Sequence, residues 1–247
     1  VGNEAAERFS FYGMRNILTV FLIEYLLVNE VPDPEMRTAL SKAHFHDFVV
    51  GVYFFPLLGV PPRLGRVFMA DGWFCPAISG TGTTAMEAAV ANLVTPGTRA
   101  AAVVNGYFGD RLAQMLARFG AEVTVIEGEW GRAIDPEMVD REIGRFPCDL
   151  LTIVHAETST GVLNPVDDVA ALARARGIPL VVDTVTSLGA VPVDAAAWGA
   201  AVVYSCSQKA LGAPSGLAPI AFNPSFHRDT RRTFALDRAL LESFWVD

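Results

Sequence analysis

The chain has 247 residues, of which 51% are hydrophobic and 19% are charged, and its formal net charge is −8 at pH 7. This composition excludes an intrinsically disordered chain, a collagen and a coiled coil. The acidic balance, with a pI near 5.0, excludes the basic surface by which proteins bind nucleic acids.

The cysteines indicate a compartment. Cys75, Cys148 and Cys206 are odd in number and form no CxxC pair. This spacing supports neither a disulfide framework nor a zinc site, and it favours a reducing environment. We therefore expect a cytoplasmic location for the part of the chain that follows residue 60.

Residues 1–60 differ in composition from the rest, because they hold 10 of the 25 aromatic residues of the chain. A largely apolar, helix-compatible stretch over residues 9–28 has about the ~20 residues that a membrane-spanning helix needs. Arg15 and Glu24 lie within it, however, and charges are costly at bilayer depth. A second apolar run, over residues 48–60, is too short to span a bilayer. The alternative is a buried amphipathic helix of a soluble protein.

This first segment carries a motif. Residues 4–15, with the sequence EAAERFSFYGMR, resemble the first-helix signature of proton-coupled oligopeptide transporters, and residues 44–59 resemble the start of that family's second helix. The resemblance assigns a part in proton coupling to Glu4, Glu7 and Arg8. Such transporters contain roughly a dozen helices, so we expect this segment to contact a membrane but not to transport a substrate alone.

Residues 61–247 are predicted to form an α/β domain, because strand-like apolar runs alternate with helical segments from Ile78 onward. Several runs are continuously apolar, as expected for a parallel sheet that helices cover on both faces. The predicted strands are Ala101–Val104, Val123–Ile126, Leu150–Val154, Leu180–Val182, Ala201–Tyr204 and Leu217–Phe222. The predicted helices are Thr84–Leu93, Gly109–Phe119, Pro136–Arg145 and Val166–Arg176.

The first chemical motif of this domain, at residues 78–87, has the sequence ISGTGTTAME. Its small residues let a backbone approach a ligand closely, and its hydroxyl groups can donate to phosphate oxygens. The helix that follows would direct its positive N-terminal end at an anion. The motif therefore predicts a phosphate-binding cup, although it is neither a P-loop nor a GxGxxG sequence. The alternative is an ordinary helix N-cap with a tight turn.

The second motif is an apolar strand that ends in Asp183. Ligands of α/β proteins bind at the carboxyl ends of parallel strands, so this carboxylate is placed to hold a metal ion, a ribose or a protonated ring nitrogen. The alternative is that Asp183 caps the turn that follows it.

Lysine is rare in this chain, because only Lys42 and Lys209 among the 19 basic residues are lysines. Lys209 follows the next predicted strand, 26 residues after Asp183, among small and hydroxyl residues. A Schiff base needs an amine that can lose its proton, which lysine can do and arginine cannot. We therefore predict a chemical role for Lys209.

A phosphate cup, an aspartate at a strand end and a lysine after the following strand together define a pyridoxal-phosphate site. From about residue 67 to residue 222, and more weakly as far as Trp245, the chain resembles class V aminotransferases of fold type I, specifically the alanine–glyoxylate and serine–pyruvate group. The matching strings are SGTGTTAMEAA, VNGYFGDR, HAETSTGVLNP, VVDTVTSLGAVPVD and YSCSQKALGAPSGLAP. The resemblance implies a fold type I large domain, with a mostly parallel sheet flanked by helices, and pyridoxal 5′-phosphate as the cofactor.

The resemblance also implies residue roles. Lys209 would form the Schiff base and shuttle the proton, and Asp183 would pair with the pyridine nitrogen. Phe108 would stack on the ring, where many relatives carry Trp or Tyr, and Thr158 would bond near the ring hydroxyl. The phosphate would be bound by Thr81, Gly82, Thr83 and Gln208, and no metal ligand is implied.

Three neighbouring residues are predicted to be structural. His155 and Glu157 would orient the turn that follows their strand rather than act in catalysis. Cys206 would be a buried small residue, since transamination needs no thiol.

The family resemblance implies transfer of an amino group from alanine or serine to glyoxylate or pyruvate, by a homodimer. Relatives continue into a C-terminal small domain with the arginine that binds the substrate carboxylate, and this chain stops before it. We therefore expect a truncated large domain at residues 61–247, with impaired turnover. The alternatives are a fragment of a proton-coupled peptide transporter, which rests on residues 1–60, and a hybrid reading frame without activity.

Overall fold

The computed structural model describes residues 64–226. The chain divides into two units, Val1–Gly59 and Val60–Asp247, and the described residues belong to the second unit. The transporter-like segment predicted for residues 1–60 lies outside the described residues, and the two-part domain organisation stays a prediction. Within residues 64–226, no helix combines the length and the hydropathy that crossing a membrane requires.

A mixed sheet of seven strands forms the centre of the described part. In chain order its strands are β1 (Ala77–Gly80), β2 (Arg99–Val104), β3 (Glu122–Glu127), β4 (Leu150–Val154), β7 (Leu180–Asp183), β8 (Val202–Tyr204) and β9 (Gly216–Phe222), while β5 (Ala156–Glu157) and β6 (Val162–Leu163) form a separate hairpin. The order across the sheet is β1-β9-β8-β7-β4-β2-β3. The run from β8 to β3 is parallel, and β9 is antiparallel to both of its neighbours. The predicted mostly parallel sheet is confirmed.

The helices between these strands agree closely with the predicted ones. They are α1 (Gly82–Leu93), α2 (Tyr107–Arg118), α3 (Pro136–Arg145), α4 (Val166–Ala175) and α5 (Ala195–Trp198). Both α1 and α2 begin two residues before their predicted starts. In α2, side chains far away in the sequence accept hydrogen bonds from the N–H groups of the first turn, which local periodicity does not reveal. The short elements β1, β5, β6 and α5 have no counterpart among the predicted ones.

Hydrophobic clusters cover both faces of the sheet. Successive side chains of a strand point to opposite faces, so Leu151 and Val182 join the cluster of α3, α4 and α5. Their neighbours Leu150 and Val181 join the cluster of α1 and α2. The continuously apolar strands of the sequence are therefore explained by burial on both sides.

The carboxyl ends of the parallel strands meet at one edge of the sheet, here called the carboxyl edge. β4 ends just before His155, β7 ends at Asp183, and β8 ends before the segment that carries Lys209. β1 reaches the same edge, because it is antiparallel to β9, which is itself antiparallel to β8. Gly80 therefore leads into α1 beside the other strand ends.

Two buried asparagines link the segments at the carboxyl edge by hydrogen bonds. Asn105 donates to Oδ1 of Asn164 at 2.7 Å, and Asn164 donates back to Oδ1 of Asn105 at 3.1 Å. Asn164 also donates to the carbonyl of Val154 at 2.8 Å and accepts from the N–H of Ile134 at 3.0 Å. Because these groups are buried and fully bonded, they hold β2, β4 and the loop before α3 in a fixed arrangement.

Candidate active site

Asp183 is buried at the carboxyl edge, with 3% of its surface exposed. Its Oδ1 accepts a hydrogen bond from the N–H of Val185 at 2.8 Å, and its Oδ2 accepts one from the phenol of Tyr204 at 2.8 Å. The pKa of this carboxyl is raised to about 6. Burial raises it most, the two hydrogen bonds lower it, and the charge of Glu157 raises it. Asp183 thus caps the turn that follows it, as the simpler alternative predicted, and is also an ionisable group at the strand end. Within residues 64–226, no three His, Cys, Asp or Glu side chains are grouped to bind a metal ion.

Glu157 holds the start of α2. Its Oε2 accepts from the N–H groups of Phe108 and Gly109, both at 3.1 Å. Its Oε1 accepts from the N–H of Ser159 at 3.1 Å and from the hydroxyl of the same residue at 2.6 Å. A Cβ at Gly106 would collide with the Glu157 side chain, so the approach requires a glycine. Because the helix dipole stabilises a carboxylate at this position, the contacts agree with a structural role for Glu157.

Among the described residues, the start of α1 lacks the hydrogen-bond acceptors that are found at the start of α2. Thr81 precedes the helix, and its N–H donates to the hydroxyl oxygen of Thr84 at 3.3 Å. The N–H groups of Gly82 and Thr83, which come next, have no acceptor among the described residues. Gly80 has a φ of 148°, which favours glycine. Unpaired N–H groups at a helix start attract anions, so the geometry fits the predicted phosphate cup.

Lys209 lies on a turn that follows β8, and its side chain is exposed. Ser207 fixes this turn, because its hydroxyl donates to the carbonyl of Pro214 at 2.6 Å and its own carbonyl accepts from the N–H of Ala213 at 2.9 Å. Oε1 of Gln208 is buried, and no donor among residues 64–226 reaches it. The turn therefore presents an accessible amine beside a buried amide that can take another partner.

Cys206 lies where the parts of the predicted site meet, and only 1% of its surface is exposed. A Cβ at Gly82 would lie 3.6 Å from the Cβ of Cys206, so the start of α1 passes directly over this residue. Burial raises the pKa of the thiol, the backbone N–H groups of Gln208 and Lys209 lower it, Asp183 raises it, and the charge of Lys209 lowers it. One buried thiol is thus within electrostatic range of Asp183 and Lys209 and beside α1. The prediction that Cys206 is a buried small residue is confirmed.

Thr158 and Phe108 lie on segments that reach the same edge. Thr158 is exposed, and its hydroxyl donates to that of Thr186 at 3.1 Å, which in turn donates to the carbonyl of Ala156 at 2.7 Å. This chain of hydroxyls links the turn after β5 to the turn after β7. Phe108 lies in the first turn of α2, and its ring packs edge-on against that of Tyr107 with 5.3 Å between the centroids.

His155 has a structural setting. Its side chain is buried and meets the ring of Trp198 edge-on, with 5.1 Å between the centroids. Burial lowers the pKa of the imidazole, and the charge of Asp167, which accepts a hydrogen bond from Trp198 at 2.7 Å, raises it. A histidine held neutral against a core tryptophan agrees with the predicted structural role.

Tyr204 and Thr186 are not among the site residues predicted from the sequence. Tyr204 looked like one more apolar residue of β8, and only the register that pairs it with Asp183 gives its hydroxyl a partner. A signal was present, because a tyrosine at the end of a buried strand needs an acceptor for its hydroxyl. Thr186 offered no comparable signal, because it is one hydroxyl residue among several.

Comparison with known proteins identifies the family of this chain. The family model of class V aminotransferases matches residues 77–232. The (S)-ureidoglycine–glyoxylate transaminase of Bacillus subtilis is 34% identical over 160 residues, which make up 65% of this chain and 38% of that relative. The alanine–glyoxylate aminotransferase of Mus musculus is 36% identical over 174 residues, or 68% of this chain and 42% of the relative. The chain thus spans about two fifths of the length of these relatives, and the family match gives no support to the transporter resemblance.

Two solved structures share the fold. An alanine–glyoxylate aminotransferase from Nostoc sp. has a TM-score of 0.74 and 40% identity, covering 78% of this chain and 53% of that one. The ureidoglycine–glyoxylate aminotransferase from Bacillus subtilis has a TM-score of 0.71 and 29% identity, covering 76% of this chain and 50% of that one.

Proposed function

Because the chain belongs to the class V aminotransferases and has their fold type I architecture, we propose that it binds pyridoxal 5′-phosphate and uses it to move an amino group between a small amino acid and a 2-oxo acid. The observation that carries this proposal is the convergence at Cys206. There the open start of α1, the buried Asp183 and the turn of Lys209 meet at one edge of the sheet.

The residues at this edge fit the cofactor. The N–H groups of Gly82 and Thr83 have no acceptor among the described residues and suit an anion. A Cβ at Gly82 would lie 2.8 Å from Cγ2 of Val185, so only a glycine lets the start of α1 lie this close to the turn after β7. Oε1 of Gln208 is buried without a donor among residues 64–226, and rotating the amide by 180° would place its NH₂ group at that position as a donor. Asp183 offers a carboxylate that suits a protonated ring nitrogen.

Pyridoxal phosphate, when bound, supplies an aldehyde that condenses with amines and a ring that accepts an electron pair. The amine of Lys209 would bind the aldehyde carbon. Once displaced by the amino-acid substrate, it would take the proton from the substrate α-carbon and deliver it to the carbon that had carried the aldehyde. Asp183 would hold the proton on the ring nitrogen. Phe108 would cover the ring face, and Thr158 would bond near the ring hydroxyl.

The proposed substrates are alanine or serine as amino donor and glyoxylate or pyruvate as acceptor. The names of both relatives include glyoxylate, which supports a small 2-oxo acid for this chain. We extend the proposal to a homodimer, as the family resemblance implies.

The cofactor proposal can be tested by mapping the site of attachment. The protein is incubated with pyridoxal phosphate, reduced with borohydride and digested, and mass spectrometry locates the modified amine. We expect the adduct on Lys209, its loss in Lys209→Arg, and its retention in Lys42→Arg. The two substitutions are matched, because these are the only lysines in the chain. An adduct on Lys42 or on the chain's amino terminus, or none at all, would refute the assignment.

Amino transfer is tested separately by a single half-reaction. The cofactor-loaded protein is mixed with alanine, and the pyruvate released is measured with lactate dehydrogenase. We expect up to one equivalent of pyruvate per chain, and none from Lys209→Arg. If the wild-type protein forms the Lys209 adduct in the first experiment but releases no pyruvate in this one, the transfer step is refuted while cofactor binding stands.

A further inference from the structure

Tyr204 lies at the end of β8, opposite Asp183 in the parallel register of β7 and β8. It has no exposed surface, and its phenol donates to Oδ2 of Asp183 at 2.8 Å. Its backbone carbonyl accepts from both the N–H and the hydroxyl of Thr184, each at 2.8 Å. The residue is therefore fixed through both its main chain and its side chain, and its phenol has the Asp183 carboxylate as its acceptor.

Packing alone does not explain a hydroxyl at this position. The Tyr204 ring lies in the hydrophobic cluster of α1 and α2 with Met86 and Ile220, where a phenylalanine would bury the same ring without a polar group. A buried hydroxyl needs a hydrogen-bond partner. Here the partner is a buried carboxylate, and a donor bonded to a carboxylate favours its charged form.

The groups that face Asp183 act in opposite directions. Burial raises the pKa of its carboxyl, the N–H of Val185 and the phenol of Tyr204 lower it, and the charge of Glu157 raises it. Cys206 also faces it, but burial raises the pKa of that thiol, which is therefore uncharged at neutral pH. Burial also raises the pKa of the Tyr204 phenol well above its ordinary value. The phenol therefore stays protonated and continues to donate wherever Asp183 is ionised.

We infer that Tyr204 is a positioning residue of the proposed cofactor site, because it keeps the Asp183 carboxylate ionised and in a fixed orientation, ready to pair with a protonated ring nitrogen. The partner of the carboxylate rests on the proposed function. The coupling of Tyr204 to Asp183 does not, because it can be measured in the cofactor-free protein.

The first test follows the ionisation of Asp183 in cofactor-free protein by ¹³C NMR of labelled aspartate carboxyls, with Asp183→Asn to assign the resonance. We expect Tyr204→Phe to move the Asp183 midpoint upward by about 1 to 2 pH units, since it removes a charge-assisted donor. Ser205→Ala is the matched control, because its buried hydroxyl donates to the carbonyl of Thr184 and not to Asp183. A midpoint in Tyr204→Phe that equals the wild-type midpoint would overturn the inference.

A second test keeps the Tyr204 phenol in place, so that its wild-type measurement does not depend on whether Tyr204→Phe folds. Replacement of all tyrosines by 3-fluorotyrosine barely changes the ring volume but makes each phenol a stronger donor. We expect the Asp183 midpoint to move downward in wild type and to stay in place in the Tyr204→Phe background. Equal downward shifts in both backgrounds would contradict the assignment, because the remaining tyrosines would then cause them.

The final test asks whether Tyr204 acts on the cofactor through Asp183. Dissociation constants for pyridoxal phosphate are measured at pH 7 for wild type, Tyr204→Phe, Asp183→Asn and the double variant. We expect Tyr204→Phe to weaken binding about tenfold, and the double variant to bind within about twofold of Asp183→Asn. Effects that multiply in the double variant would overturn the inference. If wild type binds no cofactor while the NMR coupling is present, the proposed function fails and the coupling stands.

Discussion

Replacement of Asp183 by asparagine measures the cost of burying this carboxylate. The residue is 3% exposed, and burial raises its pKa from 3.8 to about 6. A carboxyl that binds its proton more tightly in the folded state makes stability fall as the pH rises between the two pKa values. The contribution of Asp183 is therefore fully favourable below 3.8 and is lost as the pH rises through about 6.

The size of the effect follows from the pKa difference. About 2 units at about 1.4 kcal/mol each give about 3 kcal/mol, of which about 2 to 3 kcal/mol develops between ~pH 4 and ~pH 8. Asp183→Asn keeps the shape of the side chain and removes its ionisation. Its free energy of unfolding, relative to wild type, should therefore increase by that amount across this pH range. Other titrating groups are common to both proteins and cancel in the difference.

Urea unfolding at several pH values gives the measurement, followed by tryptophan fluorescence because Trp198 is buried in the core. Asp168→Asn is the control, since Asp168 is exposed on α4. We expect its difference from wild type to stay constant within about 0.5 kcal/mol. If the Asp183→Asn profile runs parallel to wild type over the whole pH range, the carboxylate carries no burial cost and the reasoning fails.

Substitutions at Gly106, Phe108 and Gly82 test other parts of the site. Gly106→Ala should destabilise the protein by about 1 to 3 kcal/mol in urea unfolding, because its Cβ would collide with Glu157. The control is Gly144→Ala, inside α3, which should stabilise the protein by about 0.5 to 1 kcal/mol. If both alanine variants change stability in the same direction, the predicted collision between residue 106 and Glu157 is contradicted. Phe108→Ala should weaken pyridoxal phosphate binding about tenfold in equilibrium dialysis and Phe108→Trp should retain it; tight binding by the alanine variant would exclude stacking. Gly82→Ala should weaken binding of pyridoxal phosphate but not of pyridoxal, and equal losses would place the phosphate elsewhere.

The parallel half of the fold could be predicted from local signals. The bounds of β4 were predicted without error, because five residues of apolar or β-branched type lie between Asp149 and His155. The bounds of α3 were also predicted without error. Asp135 caps it by accepting from the N–H of Glu137 at 3.0 Å, and Pro136 follows at the first helical position.

The antiparallel edge could not be predicted in the same way. β1 has only four residues and ends in small ones, and it becomes a strand because it pairs with β9, far along the chain. The β5–β6 hairpin has two residues in each strand, and α5 has four residues. Periodicity needs a longer window than any of these elements provides.

For the site, the sequence predicted which residue types gather at the carboxyl edge but not how they hold one another. Thr81, Asp183 and Lys209 stood out because their types suit phosphate, ring nitrogen and aldehyde. The partners Tyr204 and Glu157 did not stand out as such, because their roles depend on contacts with residues 21 to 49 positions away. Such pairings follow from strand order and register, which no single stretch of sequence encodes.

The two helix starts at the carboxyl edge illustrate this dependence. Both follow glycine-containing turns, and both would look like anion sites from sequence alone. In α2 the first N–H groups are already bonded, with Tyr107 donating to the Ser159 hydroxyl at 2.9 Å and the next two donating to Glu157. In α1 the N–H groups of Gly82 and Thr83 have no acceptor within residues 64–226. A carboxylate supplied from β5 therefore makes α2 structural, and the absence of such a group within that range leaves α1 as the helix start at which an external phosphate can bind.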